Sequence, residues 1–258
     1  MSWSEGMRGH LGSRADDWIV PEWDPPGRVR AFVTTRAGGV SEGEYGSLNL
    51  GRLSGDAPER VERNRAVVRE YLPADPCWLE QVHGTGVARI DKAGSGEIPV
   101  ADAGVARRAG AVCAVLTADC MPVFLADAAG SCVAVAHAGW RGLAAGVVEK
   151  ALATMAADPR EVHAWLGPAI GPRAFEVGPE VRDAFLRSDP EAAAAFREHR
   201  PGKFMADLYA LARVRLARAG VTRVHGASYC TYHEPARFFS YRRARASGRM
   251  GAFIWLED

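Results

Sequence analysis

Residues 116–142 decide the fold: Leu116-Thr-Ala-Asp-Cys-Met-Pro-Val-Phe-Leu-Ala-Asp-Ala-Ala-Gly-Ser-Cys-Val-Ala-Val-Ala-His-Ala-Gly-Trp-Arg-Gly142. An apolar run over 111–116 precedes Cys120, and a second run over 122–126 follows it. The chain turns at Asp127-Ala-Ala-Gly130, and a third run over 132–136 ends at His137. Short apolar runs separated by turn residues predict strands. Val, Leu, Phe and Ala fill these runs, so the strands are expected to be buried on both faces. Two antiparallel strands joined by a short turn bring the residue before the first beside the residue after the second. Cys120 and His137 are therefore expected at one sheet edge, within reach of one metal ion or one proton.

Outward from this hairpin, strands are expected over 29–35, 47–51, 77–82, 87–90, 162–166, 224–228 and 251–256. A loop is expected over 94–97. A helix opens at Asp56, with that aspartate as N-cap and Pro58 in the first turn. Val61, Val68 and Leu72 share its inner face. Further helices are expected over 143–155 and from Pro179, with a surface helix over 192–197 and an amphipathic one over 205–219. Leu208, Leu211, Ala212 and Leu216 form the buried stripe of the last. Residues 1–20 read as a loosely held tail, and 21–258 as one domain without repeat or linker.

The chain has 258 residues, 48% of them hydrophobic, which suffices for one large core. A formal net charge of +1 implies no general attraction to nucleic acid or anionic membrane, so any anion must be held locally. The five cysteines form an odd set with no CxxC, which points to a reducing compartment rather than a disulfide framework. There is no apolar leader and no run long enough to cross a bilayer. The expectation is a cytoplasmic monomer with no nucleic-acid and no membrane partner.

His83, Cys120 and His137 each end or leave an expected strand beside a glycine- or proline-containing turn. A cysteine and two histidines make a zinc set, and three protein ligands with one open position describe a catalytic site. On spacing alone the set is weak, because a chain with seven His and five Cys yields some such triple. Arg36 sits in a Gly-Gly loop whose amides could converge on an anion, and Arg141 opens a helix N-terminus. An ordinary glycine turn and a surface arginine have the same composition. Tyr241, Arg242 and Arg243 could stack on a base and bind phosphate, or pack a domain edge. Two adjacent arginines on a strand point to opposite faces, so one of the pair is expected at the site. Asp119, next to Cys120, is a candidate proton carrier, although a regular strand would turn it to the opposite face.

The motifs T-T-R-A-G-G-V-S (34–41), W-L-E-Q-V-H-G (78–84), A-D-A (101–103), T-A-D-C-M-P-V (117–123), A-V-A-H-A-G-W-R-G (134–142), L-G-P-A-I-G-P (166–172), C-T-Y (230–232), F-F-S-Y-R-R (238–243) and G-R-M (248–250) resemble, in order, the YfiH family. That family is also described as multicopper polyphenol oxidase or laccase-domain protein, purine nucleoside phosphorylase and peptidoglycan editing factor. The resemblance covers roughly residues 28–257. It implies a single-domain layered α/β (α+β) sandwich with mixed β-sheets, related distantly to cysteine hydrolases such as toxin deamidases. It implies a zinc enzyme, with His83, Cys120 and His137 as metal ligands. The implied substrates are purine nucleosides and phosphate: phosphorolysis of adenosine, inosine, guanosine and methylthioadenosine, together with adenosine deamination.

Three rivals stand beside that reading. A metal-free Cys–His hydrolase would use Cys120 as nucleophile, with His137 or His83 as base, on an amide such as a cell-wall precursor. A copper oxidase of phenols, with copper in place of zinc, would need several metal centres, and three ligands do not supply them. A binding module without turnover is the third.

Overall fold

The computed structural model describes residues 2–90 and 98–258; the loop expected over 94–97 lies outside the described residues. The strands are β1 (Val29–Val33), β2 (Val87–Arg89), β3 (Ala103–Ala106), β4 (Cys113–Thr117), β5 (Met121–Asp127), β6 (Val133–Ala138), β7 (Val162–Leu166), β8 (Glu176–Val177), β9 (Phe196–Arg200), β10 (Lys203–Ala206), β11 (Arg223–Gly226) and β12 (Met250–Leu256). The helices are α1 (Trp3–Leu11), α2 (Pro58–Arg69), α3 (Trp140–Ala145), α4 (Val147–Met155), α5 (Pro179–Leu186) and α6 (Leu208–Arg218). A mixed sheet runs β11-β7-β5-β6-β3-β2, an antiparallel sheet runs β1-β12-β4, and a small one runs β8-β10-β9.

Side-chain alternation along the strands builds the layers. In β5, Val123 and Leu125 face α3, α4 and α6, while Phe124 and Ala126 face the β1-β12-β4 sheet. β6 repeats the pattern, with Ala134 and Ala136 on the helical side and Val133 and Val135 on the other. In β12, Ala252 and Ile254 face the large sheet, and Phe253 and Trp255 face outward onto Met7 and Leu11 of α1 and Val68 of α2. The result is four layers, helix on sheet on sheet on helix. This is why the central strands are apolar on both faces, as the sequence indicates.

Several elements depart from the sequence reading. Residues 3–11 are a helix rather than a loose tail. Ser2 and Glu5 form a capping box, and Met7 and Leu11 are buried. The strand expected over 77–82 makes only single bridges, Cys77 to Cys113 and Glu80 to Val100, because it crosses from one sheet to the other. The Gln81 amide replaces the missing ladder: it donates to the Leu116 carbonyl (2.9 Å) and accepts from the Leu116 N–H (2.7 Å). Residues 47–51 are not a strand either. Buried Asn64 donates to the carbonyls of Ser47 and Asn49 and so satisfies them from the side. The helix cap is Ala57, not Asp56, whose carboxylate accepts from Ser41 and Asn49. The helix expected over 143–155 starts at Trp140 and breaks at Gly146, where φ is 98°. The surface helix over 192–197 is a 3-10 segment, Pro190–Ala195, leading into β9, and Met205 belongs to β10 rather than to the following helix.

Candidate metal centre

The β5–β6 hairpin behaves as its sequence requires. Pro122 pairs with His137 and Met121 with Ala138, so Cys120, just before β5, stands beside the end of β6. His83 reaches the same point from the segment that crosses between the sheets. The ligand atoms of His83, Cys120 and His137 all lie within 4.8 Å of one another. Cys120 Sγ is 3.8 Å from His83 Nε2, and the two imidazole rings stand 4.8 Å apart at 66°. Among the described residues this is the only such His/Cys/Asp/Glu group.

One fully buried carboxylate organises both histidines. β3 pairs with β6, which sets Asp102 beside His137. Asp102 Oδ1 accepts from His137 Nδ1 (2.8 Å) and from the His83 N–H (2.9 Å). Its Oδ2 accepts from the N–H groups of Gly84 (2.7 Å) and Val82 (3.2 Å). With the Nδ1 proton held by a carboxylate, His137 presents Nε2 as a lone pair, the arrangement seen in histidines that ligate metals. The same carboxylate fixes the His83 loop, where φ at His83 is 60°. Sequence reasoning missed Asp102 as a functional residue. Its signal was a single carboxylate entering an all-apolar strand in the A-D-A motif.

The residues fit a metal ion. Zinc takes bonds of about 2.0–2.1 Å to nitrogen and about 2.3 Å to sulfur, which places tetrahedral ligand atoms roughly 3.5 Å apart. The 3.8 Å S···N separation is close to that. Space is kept clear by Gly139, where a Cβ would lie 2.7 Å from Cys120 Sγ and 3.1 Å from His83 Cδ2. Without a metal, burial alone would push the Cys120 thiol up, but the charge of His137 and hydrogen bonds from both imidazoles outweigh it and hold the thiol at about 6. Burial works against a charged His137, yet the Cys120 thiolate and Asp102 raise it to about 9. The pair is thus shifted toward a Cys120 thiolate, the form a metal binds.

The remaining candidates divide. Asp119 has φ of 91°, so the strand rule for its direction does not apply. Its Oδ1 accepts from the Thr231 hydroxyl (2.6 Å) and its Oδ2 from the Arg242 N–H (2.7 Å), so both oxygens are committed to holding distant segments against Cys120. Arg243 donates to the carbonyls of Thr231, Tyr232 and Phe238 and ties a loop together. The Arg242 guanidinium donates to the Glu176 carbonyl and lies over Phe175. Arg36 donates to the carbonyls of Gly46 and Pro235, and with Arg243 and Glu44 lines a cavity of about 220 Å³. Burial, and then the Arg243 charge, lower its pKa. Arg141 lies exposed over the Trp140 ring. Tyr241 is exposed, with the guanidinium groups of Arg245 and Arg249 near its ring. Arg249, in the G-R-M motif, was not singled out from sequence, yet its charge interacts with Cys120 and Asp119. A larger cavity, about 580 Å³, contains none of the three ligand candidates.

Comparison with known proteins follows the same line. Residues 30–257 match the family described as multi-copper polyphenol oxidoreductase laccase. A purine nucleoside phosphorylase from Pseudomonas aeruginosa is 50% identical over 93% of this chain and 99% of its own length. The purine nucleoside phosphorylase YfiH of Escherichia coli is 52% identical over 92% of this chain and 98% of its own. Among solved structures, a Neisseria meningitidis protein superposes with a TM-score of 0.92 at 50% identity, covering 94% of this chain and all of that one. YlmD from Geobacillus stearothermophilus superposes at 0.87 with 34% identity, over 95% of this chain and 97% of its own. A family match across nearly the whole domain, joined to relatives half identical from end to end, has one meaning: this chain belongs to the multi-copper polyphenol oxidoreductase laccase family, the family of the YfiH proteins.

Proposed function

We propose that this protein is a zinc-dependent purine nucleoside phosphorylase that also phosphorolyses methylthioadenosine and deaminates adenosine. The observation that carries the reading is the convergence of His83, Cys120 and His137 behind one buried carboxylate, in a chain about half identical to relatives named purine nucleoside phosphorylase. Those three side chains would hold the metal, which when bound supplies Lewis acidity. Asp102 keeps the Nδ1 proton on His137 and leaves Nε2 to face the site. The arginines supply the counter-charge that phosphate needs. Arg249 is already within the field of Cys120, and Arg36 and Arg141 are the other candidates. Tyr241 offers an exposed ring for a purine to stack on, flanked by guanidinium groups. Asp119 positions Cys120 through Thr231 and Arg242 and moves no proton. An odd set of five cysteines with no CxxC suits a cytoplasmic setting, and no helix among the described residues is long and apolar enough to cross a membrane.

The test pairs elemental analysis with inosine phosphorolysis. Wild type is expected to carry one zinc and release hypoxanthine only with phosphate, and Cys120→Ala to lose both properties. A metal-free protein with full activity overturns the reading.

The closeness of Cys120 Sγ to two imidazoles, together with its lowered pKa, favours a second reading, a cysteine hydrolase that attacks an amide through Cys120. Iodoacetamide separates the two. A nucleophilic thiolate is alkylated at once, whereas a metal-bound one is alkylated quickly only after a chelator is added. Polyphenol oxidation with copper is the weakest reading, since the described residues offer one three-donor group rather than several centres.

A further inference from the structure

A second cysteine–histidine pair lies in the wall of the 580 Å³ cavity. Cys230 Sγ is 3.2 Å from His233 Nδ1, within a turn in which the N–H groups of His233 and Glu234 both donate to the Cys230 carbonyl. The Gly171 N–H donates to the same sulfur at 3.3 Å. Glycine is what permits this approach, because a Cβ at 171 would stand 3.1 Å from Sγ and 3.2 Å from the Cys230 Cβ. The sulfur thus has one neighbour that can take its proton and one N–H that stabilises the anion left behind. Cys230 is half-buried and lines the cavity, whereas Cys113 and Cys132 are sealed in the core. Two further features describe what could lie against it. Arg173, on the same cavity, is exposed and has no hydrogen-bond or ion-pair partner among the described residues. Arg213 is turned to the Val224 and Gly226 carbonyls and is already engaged. Among the described residues, then, the cavity offers one uncommitted cation and one half-buried thiol in contact with an imidazole and a backbone N–H.

We propose that Cys230 is a thiolation site for a carboxylate-bearing low-molecular-weight disulfide, with His233 as base and Arg173 as the carboxylate's partner. The Cys230 proton passes to His233 Nδ1. The thiolate attacks one sulfur of the disulfide, the new S–S bond forms as the old one breaks, and the leaving half departs as a thiolate that takes up the proton. Cys230 is oxidised and the leaving half is reduced, so the exchange needs no other oxidant. Nothing in this step depends on the metal centre or on nucleoside chemistry.

The experiment treats the full-length protein with glutathione disulfide at neutral pH and follows each cysteine-containing peptide by mass spectrometry. Cys230 is expected to acquire one glutathionyl group, removable by dithiothreitol, at least about tenfold faster than Cys77, a half-buried thiol whose pKa is raised by burial. His233→Gln is expected to slow the reaction by about tenfold. Arg173→Ala is expected to slow glutathione disulfide but not cystamine, which carries no carboxylate. A wild-type Cys230 that reacts no faster than Cys77 overturns the site, and this measurement needs no variant to fold. An unchanged rate in His233→Gln overturns the base. Equal slowing with both disulfides, or slowing with neither, overturns the role of Arg173.

Discussion

Replacing Asp102 by asparagine tests the site most directly, because four donors converge on two oxygens. Oδ1 serves His137 Nδ1 and the His83 N–H; Oδ2 serves the Val82 and Gly84 N–H groups. An amide offers one oxygen and one NH2, so one side of the fork must meet a donor with a donor. If the amide oxygen keeps Val82 and Gly84, the NH2 faces the His83 N–H and can satisfy His137 only by donating to Nδ1. That moves the ring proton to Nε2, and His137 can no longer ligate. If the oxygen keeps His137 instead, two backbone N–H groups lose their acceptor. Each buried donor left unpaired costs about 1–3 kcal/mol, so Asp102→Asn is expected to lose about 2–4 kcal/mol. At the usual slope for a chain of this size, that is a fall in Tm of roughly 5–15 °C. Loss of a carboxylate behind a ligating histidine typically weakens metal binding by about 10–100-fold. Competition for zinc against a chromophoric chelator reads the affinity, and thermal unfolding of the chelator-stripped protein reads the stability. Wild-type affinity in a variant of lowered Tm would refute the tautomer argument, and wild-type values in both would refute the whole account of Asp102.

Gly139→Ala keeps an allowed backbone, since φ there is −68°, but its Cβ would press on Cys120 Sγ and His83; zinc affinity is expected to fall more than about tenfold with an unchanged far-UV circular dichroism spectrum. Removing metal with dipicolinate is expected to lower the wild-type Tm and leave that of Cys120→Ala where it was, as measured by calorimetry. Burial would raise the Asp56 carboxyl, but hydrogen bonds from Ser41, Asn49 and the Ala57 N–H overcome it and hold the group below the usual aspartate range. A depressed folded pKa means its contribution is present above the unfolded value, near pH 4, and lost as pH falls through the folded one. Urea unfolding should therefore show Asp56→Asn destabilised at pH 7 and progressively closer to wild type below about pH 4.

The β5–β6 hairpin was legible because its apolar runs and its turn are local, and the pairing of Pro122 with His137 follows from them. The arrival of His83 was legible only as a residue type beside a Gly-x-Gly turn. Its path is set by a segment that joins two sheets, and the side chain of Gln81 rather than a ladder completes the hydrogen bonding there. Local rules misled in two places for opposite reasons. The capping box at Ser2 and Glu5 was in plain view, but polar composition hid a helix that buries only two side chains, Met7 and Leu11. The alanine run at 192–195 looked helical, yet it is a 3-10 turn feeding the charged strand β9, which pairs with β10 at the surface. Alanine's propensity sets a preference, and tertiary pairing decides.

Asp119 shows the same contest at the site itself. A carboxylate one residue from a metal-ligand candidate invites a role in proton transfer, but the structure gives its oxygens to Thr231 and to the Arg242 backbone. The two readings predict different outcomes for one substitution. In Asp119→Asn, the amide oxygen can keep the Arg242 N–H, and the NH2 can donate to the Thr231 hydroxyl, which rotates to accept. Both contacts survive, so a latch tolerates asparagine, with kcat expected within about threefold of wild type. Asp119→Ala removes both contacts and should lower zinc affinity and stability together. A proton carrier would behave otherwise, because asparagine cannot titrate and general acid–base catalysis contributes about 10²–10⁴-fold. Inosine phosphorolysis by the two variants therefore decides the matter. A hundredfold loss of kcat in Asp119→Asn with unchanged zinc content would return Asp119 to the chemistry, and near-normal turnover would leave it the strut that sets Cys120 opposite the histidines.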